Sequence, residues 1–407
     1  MMARPIRQRS AGCCKPRNTV GPPARQPRGR RTPRRSRSMR IAVDARELCG
    51  HPTGVGRYLG ELLTEWAAEA GAMRHEWTLF AHAPPQVPVA WQSAVRVIAG
   101  DGGTSWEQWA FPRALGSRRP DVIFAPAYSA PLTAPAPVVL TVHDVSFYAH
   151  PEWFSFREGA RRRLLTGWSA RRARTVITDT AFSQGEIARH IGLPASQIRV
   201  IPLGIREAVR VTADATLDLA ASPREPIVLY VGSVFERRRV DRLIAAFDAV
   251  ADQVPAAQLE IVGENRTRHP RLDLAALCRQ SRHHDRIHLR AYVDDATLGR
   301  LYARASAFAF LSEYEGFGLT PLEALAAGVP PVLLDTPVAR ETAGAAARYV
   351  DAGAGHQAIS DALIAVLTDQ DVRHTILDRA PGVLSQYNWT VTAARTLAAI
   401  EGAARGR

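Results

Sequence analysis

Two glutamates, Glu315 and Glu323, flank seven residues within SEYEGFGLTPLEALAAGVPPVLLD, from Ser312 to Asp335. The segment reads as a strand ending near Tyr314, a turn through Glu315, Gly316, Phe317 and Gly318, and then a helix. Thr320 suits an N-cap, Pro321 the first helical position and Glu323 the third position of a capping box. Gly328 and Pro330 suit the helix end. A glycine turn running into a helix N-terminus aims backbone N–H groups and the positive end of the helix dipole at one point, and together they can hold a diphosphate. Glu323 therefore has two readings, a ligand contact and a helix cap.

Three further groups could do chemistry. Arg237, Arg238 and Arg239 follow an apolar run at 226–234, where fixed cations would offset charge on a departing phosphate. As a mere charge run at a helix start they would oppose the dipole. His143 and Asp144 end the apolar run 137–145. On its own His143 reads as a satisfied histidine at a strand end, and Asp144 as a residue that orients the loop. Gly54, Gly56 and Gly60 space as GxGxxxG, which departs from the dinucleotide fingerprint GxGxxG. They read as a turn into a helix that also approaches phosphates.

These residues need a frame. Short apolar runs at 40–46, 76–82, 121–128, 137–145, 174–180 and 198–205 alternate with amphipathic stretches such as Gly56–Ala70 and Phe182–Ile191. The polar stretch 206–226 breaks the pattern and reads as a linker. Runs at 226–234, 258–265, 286–293, 307–314 and 330–336 then restart it. The expected fold class is α/β: two Rossmann-like, doubly wound parallel-sheet domains, 39–205 and 227–386, facing across a cleft. A C-terminal helix at 387–407 is expected to return to the first domain. Ligands of such sheets bind beyond the carboxyl ends of the strands.

The chain has 407 residues and a formal charge of +13. Residues 1–38 carry eleven Arg, one Lys and no acid, which leaves +1 for the rest. That tail reads as disordered, with Met39 as the start of the folded chain. Cys13, Cys14, Cys49 and Cys278 make no disulfide framework, which fits a reducing, cytoplasmic setting. No run approaches the roughly 18 apolar residues of a membrane span. Lys15 is the only lysine in the chain.

The Ser312–Asp335 segment resembles the signature of glycosyltransferase family 4: a Glu, seven residues, a second Glu, and GFG after the first. PTGVGRYLGELL (52–63) resembles that family's first glycine loop, TVHDVSFYAHPEWF (141–154) its sugar-side loop and VGSVFERRRVDRLIAAF (231–247) its phosphate clamp. The resemblance implies the two-domain GT-B fold and retaining, metal-independent transfer of a hexose. The donor would be a GDP- or UDP-linked sugar, with mannose favoured, and the acceptor a glycan or lipid-linked glycan. Glu315 and the backbone of Gly316, Phe317 and Gly318 would hold the sugar, with Leu319 and Thr320 beside them. Glu323 would bind the ribose, Gly54 and Gly56 would near the phosphates, and His143 would face the reacting carbon. Where the family has Arg-Lys, this chain has Arg237-Arg238. Glu341, in PVARETAG, matches a recurrent family Glu. Neither a cofactor nor a specific nucleic acid is implied.

Other classes fit less well. A glycosidase needs two carboxyls facing one bond, roughly 5–10 Å apart, and a capping Glu323 is poorly placed for that. The lone DxD, Asp369–Asp371, falls between late helices rather than at a strand end. A pyridoxal-phosphate phosphorylase needs a lysine that Lys15 cannot supply. A nucleotide-sugar epimerase of the same fold stays open, as does nucleic-acid binding through the basic tail. Residues 157–174 hold seven Arg with Leu164, Leu165 and Trp168. They read first as an amphipathic helix packing Trp168 onto the sheet, and second as a weak contact to anionic lipid headgroups.

Overall fold

The computed structural model describes residues 38–50, 54–116, 119–205, 224–268 and 271–406. The expected tail up to residue 37 and linker up to residue 223 lie outside these. Ser38–Arg407 pack as one unit.

The first sheet has seven parallel strands in the order β3-β2-β1-β4-β5-β6-β7. They are β1 Arg40–Asp44, β2 Glu76–Ala81, β3 Val95–Val97, β4 Val122–Ala125, β5 Val138–Thr141, β6 Thr175–Thr178 and β7 Ile198–Val200. The second sheet has six, ordered β10-β9-β8-β11-β12-β13: β8 Glu225–Val231, β9 Gln258–Val262, β10 Ile287–Arg290, β11 Ala305–Phe310, β12 Pro331–Leu334 and β13 Arg348–Val350. Every pairing between these strands is parallel. Strand β8 begins inside the stretch read as linker. The Arg304 guanidinium grips the Glu225 carboxylate at 2.5 and 2.7 Å, and Ser306 Oγ donates to the Glu225 carbonyl at 2.6 Å, drawing this polar residue onto the sheet.

Eight helices matter for the site: α1 Gly54–Ala68, α2 Phe111–Leu115, α3 Phe156–Arg172, α4 Ala181–Ile191, α5 Val240–Gln253, α6 Leu319–Ala326, α7 Pro337–Ala343 and α8 Trp389–Arg405. A π-helical turn, Trp106–Ala110, leads into α2. Strand residues alternate between two cores because the side-chain period is two. Ile41, Val43, Phe124 and Val139 join Tyr58, Leu62 and Trp66 of α1 and Leu397 and Ile400 of α8. Ala42, Ile123, Leu140 and Val176 join Trp106, Phe111, Ala170 of α3 and Ile187 of α4. Helix α8 is tied to the first half by the Trp66 indole N–H on Ala393 O (3.0 Å) and the Thr392 hydroxyl on Pro202 O (2.7 Å).

Trp168 does not pack onto the sheet. The buried face of α3 is built from Gly159, Thr166, Gly167, Ser169 and Ala170. These small residues seat the helix close to the strands and leave Leu164 and Trp168 turned outward. Asp369 caps the helix that follows it, accepting from the backbone N–H groups of Asp371 and Val372, so the lone DxD is a turn element.

Candidate functional site

The second sheet reverses strand order between β8 and β11, and both strands empty into one crevice. The chain leaving β8 turns through Gly232 into a short 3-10 turn, Glu236–Arg238. Arg239 then takes a left-handed backbone (φ 47°), uncommon for a non-glycine residue, before α5 starts. Its guanidinium turns away to Glu313 and Ala352 O, so the third arginine leaves the crevice. Arg238 folds inward: Nη1 donates to Ser233 O and Nε to Glu315 Oε1, both at 2.8 Å. Its guanidinium lies 5.0 Å from the centre of the Phe310 ring. A Cβ on Gly232 would fall 2.7 Å from Arg238 Nη1, so the glycine makes room for this fold. Arg237 sits 4.6 Å over the Phe235 ring. Its buried Nε meets no hydrogen-bond acceptor and lies 3.9 Å from Glu315 Oε1.

Glu315 follows β11 and also accepts from Ser312 Oγ at 2.8 Å. Burial opposes its negative charge, but Arg238 and then Arg237 outweigh that cost, and the carboxyl is held below the usual glutamate range. A glutamate, two guanidinium groups and the turn Gly316–Gly318 thus share one corner. Beside it, at the ends of β9 and β10, a cavity of about 600 Å³ is lined by Gly263, Asn265, Arg271, Arg290 and Ala291 among others.

His143 follows β5 in the first half and is 8% exposed. Nε2 lies 3.1 Å from the Pro126 carbonyl and Nδ1 2.8 Å from Asp179 Oδ2. A carbonyl only accepts, so Nε2 carries a proton, and Nδ1 shares one with the Asp179 carboxyl. Burial opposes the cation and also pushes the Asp179 carboxyl up. For His143 the Asp179 carboxylate and the Pro126 carbonyl outweigh burial, and its pKa is raised. A raised histidine pKa adds stability that is complete below the unfolded value, about 6.5, and is lost as pH climbs through the folded value. The melting temperature of the wild type should fall over that window, and that of His143→Gln should not. Parallel pH profiles from scanning calorimetry would reject the charged pair. Asp144 orients the loop, accepting from Tyr128 OH at 2.9 Å and from the Ser146 backbone N–H at 2.8 Å. Tyr128 is itself left-handed (φ 51°).

The halves meet at these same residues. Thr180 Oγ1 donates to Gly316 O at 2.9 Å. Ser183 Oγ lies 3.1 Å from His143 O and 3.2 Å from Gly316 O. Glu341, on α7, places its two carboxylate oxygens 2.6 and 2.8 Å from the backbone nitrogens of Ala181 and Phe182, capping α4 from across the cleft. Arg57, in the first turn of α1, pairs with the buried Glu323 at 3.4 Å.

Two local expectations change. Helix α6 starts at Leu319 with Gly318 (φ 90°) as its N-cap and no side-chain cap. Thr320 is therefore inside the first turn and Glu323 lies beyond any capping-box position, because a glycine that adopts positive φ freely starts the helix earlier. Gly54 and Gly56 lie within the first turn of α1, not in the turn before it. Phe317 is buried edge-on to Tyr387, with ring centroids 5.2 Å apart. Arg57, Asp179, Thr180, Ser183 and Ser312 were not singled out from sequence. Only Arg57 left a local trace, as a cation beside the glycines. Among the described residues, no three His, Cys, Asp or Glu side chains gather as a metal-binding group.

Comparison with known proteins agrees on the class. The model for glycosyltransferase family 4 matches residues 52–208, and that for glycosyl transferases group 1 matches residues 218–382. O-antigen chain mannosyltransferase B of Escherichia coli is 26% identical over 263 residues, covering 64% of this chain and 68% of that protein. Glycogen synthase of Mycobacterium tuberculosis is 31% identical over 226 residues, 53% of this chain and 52% of its own length. The structure of WaaG, a glycosyltransferase of lipopolysaccharide biosynthesis, overlays with a TM-score of 0.70 at 18% identity, covering 89% of this chain and all of that one. Anabaena Alr3699/HepE in complex with UDP and glucose gives 0.66 at 20% identity over 89% of this chain and 98% of its own. With both sheets, the crevice and both family models in agreement, the chain belongs to the family 4 glycosyltransferases of GT-B fold.

Proposed function

We propose that the protein transfers a hexose, with mannose favoured, from a GDP- or UDP-linked donor to a glycan or lipid-linked glycan, with retained anomeric configuration and without a metal or cofactor. The observation that carries this is the buried corner where Arg237 and Arg238 converge on Glu315. A buried guanidinium Nε without an acceptor is costly unless a ligand oxygen meets it, and a diphosphate supplies such oxygens. The nucleoside would occupy the cavity at the ends of β9 and β10, with its ribose toward Glu323 and the sugar toward Glu315 and Gly316–Gly318. The sugar C1–O bond to phosphate breaks as the acceptor oxygen bonds C1 from the same side. The departing phosphate takes the acceptor's proton, and the two arginines offset the charge it gains. Mannose is favoured by the name of the Escherichia coli mannosyltransferase relative. Transfer would take place in the cytoplasm, at or near the inner face of the cell membrane.

Turnover should be undiminished in excess chelator, and NMR of early product should show the donor's anomeric configuration. Activity lost in chelator and restored by Mn²⁺ would refute the arginine clamp. An inverted linkage would refute same-side attack. A panel of nucleotide sugars, scored by hydrolysis, identifies the donor in the same experiment.

A further inference from the structure

We propose that Tyr314 is a positioning residue: its ring docks in an aromatic socket of the first half and sets where Glu315 stands against the loop that carries His143. Tyr314 belongs to the second half and is 4% exposed. Its ring meets three rings of the first half edge-on. The centroids of His150 and Phe182 lie 5.4 Å away, and that of Trp153 lies 6.4 Å away. His150 and Trp153 are themselves stacked at 3.9 Å, and Glu152 holds His150 Nδ1 at 3.0 Å. The socket has two walls. One is the chain that runs on from His143 through the short helix Ser146–Ala149 to the 3-10 turn Pro151–Trp153. The other is the first turn of α4, which carries Phe182.

Side chains around Tyr314 alternate in direction. Glu313 and Glu315 turn back into the second half, to Arg239 and Arg238, and Tyr314 between them turns to the first. Gly316 accepts from the Thr180 and Ser183 hydroxyls of the first half. The Glu315 carboxylate is therefore fixed by one half while both of its chain neighbours are fixed by the other. Its place relative to His143 is defined only while the halves are joined. When they part, water can replace the two hydroxyl bonds to Gly316. It cannot replace contacts between rings, and edge-to-face pairs favour a narrow range of separations, with centroids about 4.5–7 Å apart. The ring of Tyr314 is therefore what sets the spacing. Its part in catalysis rests on the proposed transfer; the docking itself does not.

The test uses the full chain and two readouts. The first is amide hydrogen exchange at Ala181 and Phe182. These first-turn amides of α4 are held by Glu341 from across the cleft, so their exchange reports how firmly the halves are joined. Tyr314→Ala should speed it by about 10-fold or more, the loss of one ring pair at the upper end of its range. Tyr314→Phe keeps the ring and should exchange as wild type does. The second readout is kinetic. Tyr314→Ala should lower kcat at saturating donor by about 100-fold and leave nucleoside diphosphate affinity unchanged, and Tyr314→Phe should turn over as wild type does. Trp153→Ala leaves the second half untouched, which guards against a folding defect in Tyr314→Ala. It should move both readouts the same way and add nothing to Tyr314→Ala in the double variant. Exchange at wild-type rates in Tyr314→Ala would overturn the proposal. So would a Tyr314→Phe variant as slow as Tyr314→Ala, which would place the effect in the hydroxyl. Faster exchange in Tyr314→Ala beside a wild type that transfers no sugar would count for the docking and against the transferase reading.

Discussion

Glu315→Gln is expected to lower kcat at saturating donor by about 10- to 150-fold, the cost of one hydrogen bond to a charged group. Affinity for the bare nucleoside diphosphate should hardly change, because that ligand has no sugar to contact. Gln is the informative substitution. Its amide oxygen can still accept from Arg238 Nε and Ser312 Oγ, which now hold the carboxylate at 2.8 Å each. Alanine would strand a buried guanidinium and mix a folding defect of about 3–5 kcal/mol into the kinetics. Glu323→Gln should do the reverse, weakening diphosphate binding by a comparable factor. Since α6 is capped by Gly318, that loss cannot be ascribed to an undone capping box. Calorimetric titration and steady-state rates on both variants separate the roles. Diphosphate binding abolished by Glu315→Gln and intact in Glu323→Gln would reverse them, and unchanged kinetics in both would leave the motif structural.

The elements that position this site were legible wherever burial on both faces wrote a continuous apolar run. The run at 137–145 marks β5, yet the strand ends at Thr141. Val142 to Val145 stay largely buried without pairing as strand, because this is the loop that delivers His143 and Asp144. Two strands left no such mark. Val95–Val97 and Arg348–Val350 are three-residue edges, too short to show a period. Thr320-Pro321 followed by Glu323 imitates a capping box, and only the left-handed Gly318 reveals the true start. On α3, composition announced an amphipathic helix but not which side faced the sheet. The small residues that decide this look neutral in sequence.

The site was legible as motifs but not as partnerships. Glu315, Arg237 and Arg238 stand in recognisable segments, and the crevice between β8 and β11 brings them together. The contacts that join the halves have no local signature. Thr180 and Ser183 answer Gly316 and α4 answers Glu341 across the cleft, and within the first half Asp179 answers His143 from the end of the next strand. Serine and threonine near a helix start read as caps, and Thr180 is one, accepting from the Ser183 backbone N–H. Its second bond, to Gly316, belongs to the other half of the chain.

Gly316→Ala should reduce transfer by about 100-fold with little change in diphosphate affinity. A Cβ there would fall 2.2 Å from His143 O and 2.9 Å from the carbon that bears it. Both are backbone atoms, so no rotamer change relieves the clash. His143 is held by Asp179 and Pro126, and Gly316 by Thr180, which leaves separation of the halves as the way out. That movement would stretch the Glu341 bonds to Ala181 and Phe182 and draw the first turn of α1 away from Glu323. A displacement of about 1 Å between reacting groups costs on the order of 10²-fold in rate. The contacts proposed for the nucleoside diphosphate, Arg237 and Arg238 to its phosphates and Glu323 to its ribose, all lie in the second half and should survive. Gly263→Ala is the converse control: its Cβ would meet Gly232 O at 1.9 Å, inside the second half, so it should damage diphosphate binding first. If Gly316→Ala kept full activity, the close approach of Gly316 to His143 would have no part in the reacting state. If it lost diphosphate binding and transfer together, the alanine would be disturbing the second half itself and not the fit between the two.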